Sequence, residues 1–322
     1  MKRFLQSEAG AAVLWVLCSL LLAAAIAPWL YQAGKWLAAS AEANQLPAIL
    51  EWLGAACGRS KFGRFFSRAL MASALLLLPV LLYRVKAIRR REGIRLPASP
   101  SVTWQNAVAQ ILIAIVISAG LLLALGAVLE AIGAYIPSRK APAFGKLLTG
   151  IVPTALIVAF LEEWLFRGLM LGLWLRFTRP LAACVGCSLV FAFVHFLSPP
   201  SGVVIADPAH PLTGFELLGS ILGHFSDPQF FVTDFLTLFV IGMILAGARL
   251  QTGKLWFPIG LHAGWVMAYK GFEKMHRAVE DHPLRPWGVG ETLRSGALPL
   301  LTLCLTALIC YAVIRKLRFS RA

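Results

Sequence analysis

Runs of about 20 apolar residues, the length that crosses a hydrocarbon layer as a helix, recur along the chain near 11–30, 68–83, 107–136, 147–174, 181–197, 230–248, 255–269 and 297–314. Clusters of Lys and Arg, or of Pro and Gly, separate them. The pattern predicts an all-α fold: a polytopic transmembrane helical bundle of about eight spans. Two shorter apolar stretches do not fit a full crossing. "LPAILEWLGAACG", which carries Glu51, reads as an interfacial helix, and "FELLGSILGHF" as a re-entrant or interfacial one. Glu130 near the end of the third run implies a helix that is tilted or extends past the membrane.

Charge orients this array. Lys2 and Arg3 precede the first run, "RVKAIRRREGIR" follows the second, Arg176 and Arg179 follow the fourth, Arg249 and Lys254 follow the sixth, and "RKLRFSRA" closes the chain. By the positive-inside rule these segments and both termini are expected in the cytoplasm. "SPPSGVVIADPAHPLTG", which has neither Lys nor Arg, is expected outside, while "GRSKFGR" and "PSRKAPAFGK" run against the bias. The resulting organisation has three consecutive segments. Residues 1–146 hold N-terminal spans and the basic cytoplasmic loop, 147–271 a core segment, and 272–322 a non-cytoplasmic segment with the final span.

Composition agrees with a membrane protein: 59% of the 322 residues are hydrophobic and the mean hydropathy is +0.75, above the roughly 45–50% apolar content of soluble domains. The 30 Lys and Arg against 15 Asp and Glu lie between apolar runs, so they are topology signals rather than a nucleic-acid surface. The first run is too long for a signal-peptide core and is expected to be a retained anchor in a bacterial inner membrane. Five of the six cysteines lie in apolar runs and Cys57 in a connector, so free thiols are expected. Cys184 and Cys187 have a redox or zinc spacing but no second pair.

The polar exceptions carry the candidate chemistry. Glu162, Glu163 and Arg167 interrupt the fourth run, and an ionisable group at that depth costs roughly 2.5 kcal/mol or more unless paired or facing a cavity. Glu163 and Arg167 are one helical turn apart and can pair, whereas Glu162 points about 100° away. The alternative for this stretch alone is a structural ion pair. His195 in "FAFVHF" and His262 in "TGKLWFPIGLHAGW" are polar positions in two further runs. At about 1.5 Å per residue, Glu162 and His195 lie roughly 21 Å, and His262 roughly 12 Å, from the basic or cytoplasmic ends of their runs. One embedded chamber can therefore hold all three. Gly168 with Gly172, and Gly260 with Gly264, are expected to let helices pack closely. A carboxylate with two imidazoles suits activation of water, with histidine orienting it or bonding a developing oxyanion, so peptide hydrolysis is chemically plausible.

These residues resemble the CAAX protease and bacteriocin-processing family of intramembrane endopeptidases, related to the type II CAAX prenyl endopeptidase. Its EExxxR motif matches Glu162, Glu163 and Arg167, and its FxxxH motif matches Phe191 and His195. Its third motif matches Thr252, Gly253, Leu255, Trp256, Ile259 and His262. The resemblance covers about 147–269. It implies Glu162 as general base, His195 as an activator of water, His262 as the oxyanion contact, and Glu163 with Arg167 as support. It further implies a membrane-embedded or lipid-anchored peptide substrate and no cofactor. The family commonly has Asn four residues after the third-motif His; here that position is Val266, and the indole N–H of Trp265 is the candidate substitute. Alternatives are a zinc metalloprotease with Glu163, His195 and His262 as ligands, although HExxH is absent, and a catalytically silent adaptor or immunity-type binding protein. A transporter is less favoured, since no internal repeat is visible.

Overall fold

The computed structural model describes residues 7–43, 46–91, 103–139, 141–176, 178–197, 205–285 and 287–317. The rest of the basic loop after Arg91, the start of the loop after Leu197 and the last five residues, for which sidedness is expected above, lie outside the described residues.

The helices are α1 (Glu8–Ala43), α2 (Ala48–Gly58), α3 (Phe62–Arg91), α4 (Trp104–Ala131), α5 (Phe144–Glu163), α6 (Leu171–Trp174), α7 (Pro180–His195), α8 (Thr213–His224), α9 (Leu236–Thr252), α10 (Trp256–Met275) and α11 (Ala297–Lys316). Strands β1 (Tyr135–Pro137) and β2 (His276–Ala278) form a small antiparallel pair. Each expected span is a helix. Among the described residues, six helical stretches, at 10–43, 62–88, 104–131, 144–174, 228–252 and 297–316, are long and apolar enough to cross a membrane. The other two expected spans fall on α7, which has 16 residues, and on α10, whose 20 residues include His262, Lys270 and Glu273.

The chain forms two compact units, 1–96 with 194–227, and 97–193 with 228–322. In the first unit, α1 packs on α2, α3 and α8. Tyr31 meets the rings of Phe62 and Phe65 edge-on, and Lys35 Nζ donates to the Gly58 carbonyl at 2.7 Å, capping α2. Ile49 and Trp52 of α2 are exposed, as an interfacial helix requires. The 12-residue α8 lies against α1, where Gly214 faces the Ala24 carbonyl.

In the second unit α10 is the central element, buried along Phe257–Trp265. It runs parallel to α4, in a register set by glycines. A Cβ at Gly260 would strike the Ile111 carbonyl, one at Gly264 would strike Ser118 Oγ, and one at Gly126 would lie 2.7 Å from the Phe272 ring. Both helices end at the same side, where their continuations pair as β1 and β2. The expected close packing at Gly260 and Gly264 is thus present, with α4 as the partner. The pair Gly168 and Gly172 behaves differently: nothing lies within 4 Å of a Cβ at Gly172, and at Gly168 the nearest atom is the Leu255 side chain at 3.3 Å. That spacing is no tight crossing.

Helix α5 is antiparallel to α10, with Ala159 packed near Ala263 and Gly168 near Leu255. Helix α9 turns back into α10 through Gly253, whose φ of 68° suits glycine. The chain therefore leaves α6 at one end of this unit and enters α9 at the other. Helix α7 makes the return, and at about 1.5 Å per residue its length comes to about 24 Å.

Candidate functional site

The segment carrying both glutamates changes helix type within the motif. Helix α5 ends at Glu163, a π-helical stretch runs over Trp164–Met170, and α-helix resumes as α6. The wider i→i+5 turn is uncommon and tends to occur where side chains are re-aimed at a functional site. Here it carries Phe166 and Arg167 into the interior.

Glu163 is fully buried and Arg167 is 1% exposed. Arg167 Nη1 donates to Glu163 Oε1 at 2.9 Å, as the one-turn spacing predicts. The guanidinium has further contacts. Its Nη2 donates to the Gly242 carbonyl of α9 at 3.2 Å, and its carbon lies 4.2 Å from the centre of the Phe191 ring, a cation–π distance.

The same Glu163 oxygen lies 2.9 Å from His262 Nδ1 on α10. A carboxylate paired with arginine accepts hydrogen bonds only, so Nδ1 carries the hydrogen and donates it. Nε2 is then the ring nitrogen left to face the other acid: it lies 3.7 Å from Glu162 Oε2. Phe191 stands edge-on to the imidazole, with ring centres 6.1 Å apart, and edge-on to Phe166 at 5.1 Å. One aromatic ring therefore packs against the histidine and seats the arginine.

Glu162, Glu163, Arg167, Phe191 and His262 thus come together. The two acids differ as their positions predict: Glu163 is enclosed and multiply bonded, while the Glu162 side chain keeps 28% exposure. His195 is the last residue of α7, one turn beyond Phe191 on the same helical face. Val266 is half-buried one turn after His262.

Trp265, the candidate substitute donor, is 4% exposed. It belongs to the apolar cluster of Leu122, Leu261, Val289 and Leu303. With Tyr269, Leu293 and Pro299 it lines a small pocket. A large aromatic three residues from His262 gains more by filling the α4–α10–α11 interior than by facing carboxylates.

The sequence reading missed Gly242, whose only signal was a glycine inside an apolar helix. All six cysteines are unpaired thiols; Cys187 Sγ lies 3.3 Å from the Phe166 carbonyl and packs the π-helical stretch. Among the described residues, no three His, Cys, Asp or Glu side chains are grouped so as to hold a metal ion.

Residues 144–268 match the family model described as type II CAAX prenyl endopeptidase Rce1-like. No curated protein and no solved structure matches the chain.

Proposed function

We propose that this chain, whose residues 144–268 match the type II CAAX prenyl endopeptidase Rce1-like family model, is a member of that family and an intramembrane endopeptidase of the glutamate type. Its substrate is a membrane-embedded or lipid-anchored protein or peptide. The observation that carries the reading is the placement of His262, with Nδ1 held by Glu163 at 2.9 Å and Nε2 turned to Glu162 at 3.7 Å. A histidine oriented through one nitrogen presents the other to the reacting atoms.

In the reaction Glu162 takes a proton from water, and the oxygen attacks the scissile carbonyl carbon. His262, protonated and held by Glu163, donates from Nε2 to the oxygen on which negative charge develops. The proton on Glu162 passes to the leaving nitrogen as the C–N bond breaks, giving a carboxylic acid and an amine. Glu163 and Arg167 act through His262 and touch no reacting atom. His195 helps to orient the attacking water, a role taken from the resemblance of the Phe191–His195 spacing. The protein resides in a bacterial inner membrane with both termini in the cytoplasm.

Val266 favours a second reading. The position one turn from His262 carries no hydrogen-bond donor, which suits a silent protein that binds a membrane segment without cutting it.

The test is cleavage of prenylated and unprenylated membrane peptides by the full chain in lipid nanodiscs, with and without a chelator. Glu162→Gln keeps the shape of the side chain but accepts no proton, and is expected to lose about 10²–10⁴-fold in rate. Unchanged turnover in that variant overturns the assignment of the base. Binding without cleavage by the native chain supports the silent protein. Stoichiometric zinc whose removal stops cleavage replaces the glutamate mechanism by the zinc alternative.

A further inference from the structure

Helix α9 comes unusually close to α7 at one point. A Cβ added to Gly242 would lie 2.8 Å from Ser188 Cβ and 3.0 Å from its Cα and Oγ. Glycine weakens a helix interior, so its presence here needs a packing reason. Gly247, on the same helix, offers a contrast, since nothing lies within 4 Å of a Cβ built there.

The close approach has a chemical consequence. It brings the Gly242 carbonyl within 3.2 Å of Arg167 Nη2, in a buried hydrogen bond. Within α9 that oxygen already accepts the N–H of the residue four positions on, and its second lone pair is the one used here. The guanidinium is consequently fixed from three directions: the Glu163 carboxylate, the Phe191 ring and the Gly242 carbonyl. With the guanidinium fixed, the Glu163 oxygen that receives His262 Nδ1–H is fixed too.

We propose that Gly242 is a positioning residue for the Glu163–His262 pair: by admitting α9 against Ser188, it supplies the backbone acceptor that holds Arg167, and through Arg167 the histidine, in register with Glu162. The effect on catalysis rests on the endopeptidase reading above; the effect on His262 does not.

Two readouts separate these. In full-length protein labelled with ¹⁵N-histidine, an imidazole N–H bonded to a buried carboxylate gives a far-downfield proton resonance, assigned to His262 by its loss in His262→Gln. Gly242→Ala is expected to shift or abolish this resonance. Gly247→Ala is expected to leave it in place, and the double variant Ser188→Gly/Gly242→Ala to restore it in part, since the backbone of residue 188 still lies 3.0 Å from the added carbon. In cleavage of the membrane peptide, Gly242→Ala is expected to lower kcat at least about tenfold with KM unchanged, since small displacements of catalytic groups are costly. Arg167→Lys keeps the charge beside Glu163 but cannot reach both acceptors with a rigid fork. It is expected to disturb the resonance as Gly242→Ala does, and it decides the matter if Gly242→Ala does not fold.

The proposal is overturned if the native protein lacks the resonance. It is also overturned if the resonance is unchanged in Gly242→Ala, or, where that variant does not fold, in Arg167→Lys. Absence of turnover in the native chain, with the resonance present and sensitive to Gly242, removes the endopeptidase reading and leaves the positioning role standing.

Discussion

His262 and Glu163 are 99 residues apart in sequence and 2.9 Å apart in space, with Nδ1 of the histidine donating to the carboxylate oxygen that also receives Arg167. One buried oxygen thus serves a structural ion pair and the orientation of a candidate catalytic imidazole. The two glutamates of the motif are not equivalent in consequence.

Glu163→Gln should destabilise the protein far more than Glu162→Gln. Removing the carboxylate leaves the buried Arg167 charge without its partner, a loss of about 3–5 kcal/mol in comparable sites. The Glu162 side chain is partly exposed, so its amide substitution should cost little stability while stopping the chemistry. Thermal unfolding of both variants in one detergent checks this, and equal melting temperatures would contradict the assigned division of roles.

Packing of α10 on α4 yields a second prediction. Gly264→Val places atoms where Ser118 Oγ lies and close to the Ile115 carbonyl, which is 2.9 Å from the first added carbon. Backbone cannot move aside as a flexible side chain can, so a loss of at least about 1–3 kcal/mol is expected. Gly172→Ala, with nothing within 4 Å, should be neutral or gain up to about 1 kcal/mol in helix propensity. Comparable destabilisation by both would show that the register between α4 and α10 is wrong.

Around His262 the neighbours separate by role. Trp265→Phe should lower stability through lost packing and change turnover less than about tenfold, because the indole fills the apolar cluster with Leu122 and Leu303. Val266→Asn should raise turnover by supplying a donor one turn from His262; a well-placed oxyanion donor is worth roughly 2.7–4 kcal/mol. Stability should fall by about 1–3 kcal/mol if the amide finds no partner in the resting protein. Severe loss of turnover in well-folded Trp265→Phe would return the indole to the site.

Sidedness is open to chemical labelling in a background without the native cysteines. Arg90→Cys lies in the basic end of α3 and should be protected from an impermeant thiol reagent in intact cells. Ala209→Cys should react. It is exposed and leaves Asp207 Oδ1 accepting the backbone N–H of residue 209. Equal labelling of the two would defeat the charge-based orientation.

Helix positions and the Glu163–Arg167 pair were legible in the sequence because each depends on neighbours within a turn or on a run of apolar residues long enough to span. The ordered motifs likewise anticipated that Glu162 and His262 meet, since polar groups in apolar helices gain by sharing one chamber. Tertiary structure alone decided which faces pack. Lipid and protein interior are equally apolar, so hydrophobic periodicity does not mark the α10 face that takes α4, or the α9 face that takes α7 at Ser188. For that reason Gly260 and Gly264 mark a tight crossing while Gly172 does not, Trp265 turns to the interior, and the Gly242 carbonyl becomes an anchor for Arg167: each outcome depends on a backbone brought close from a distant part of the chain.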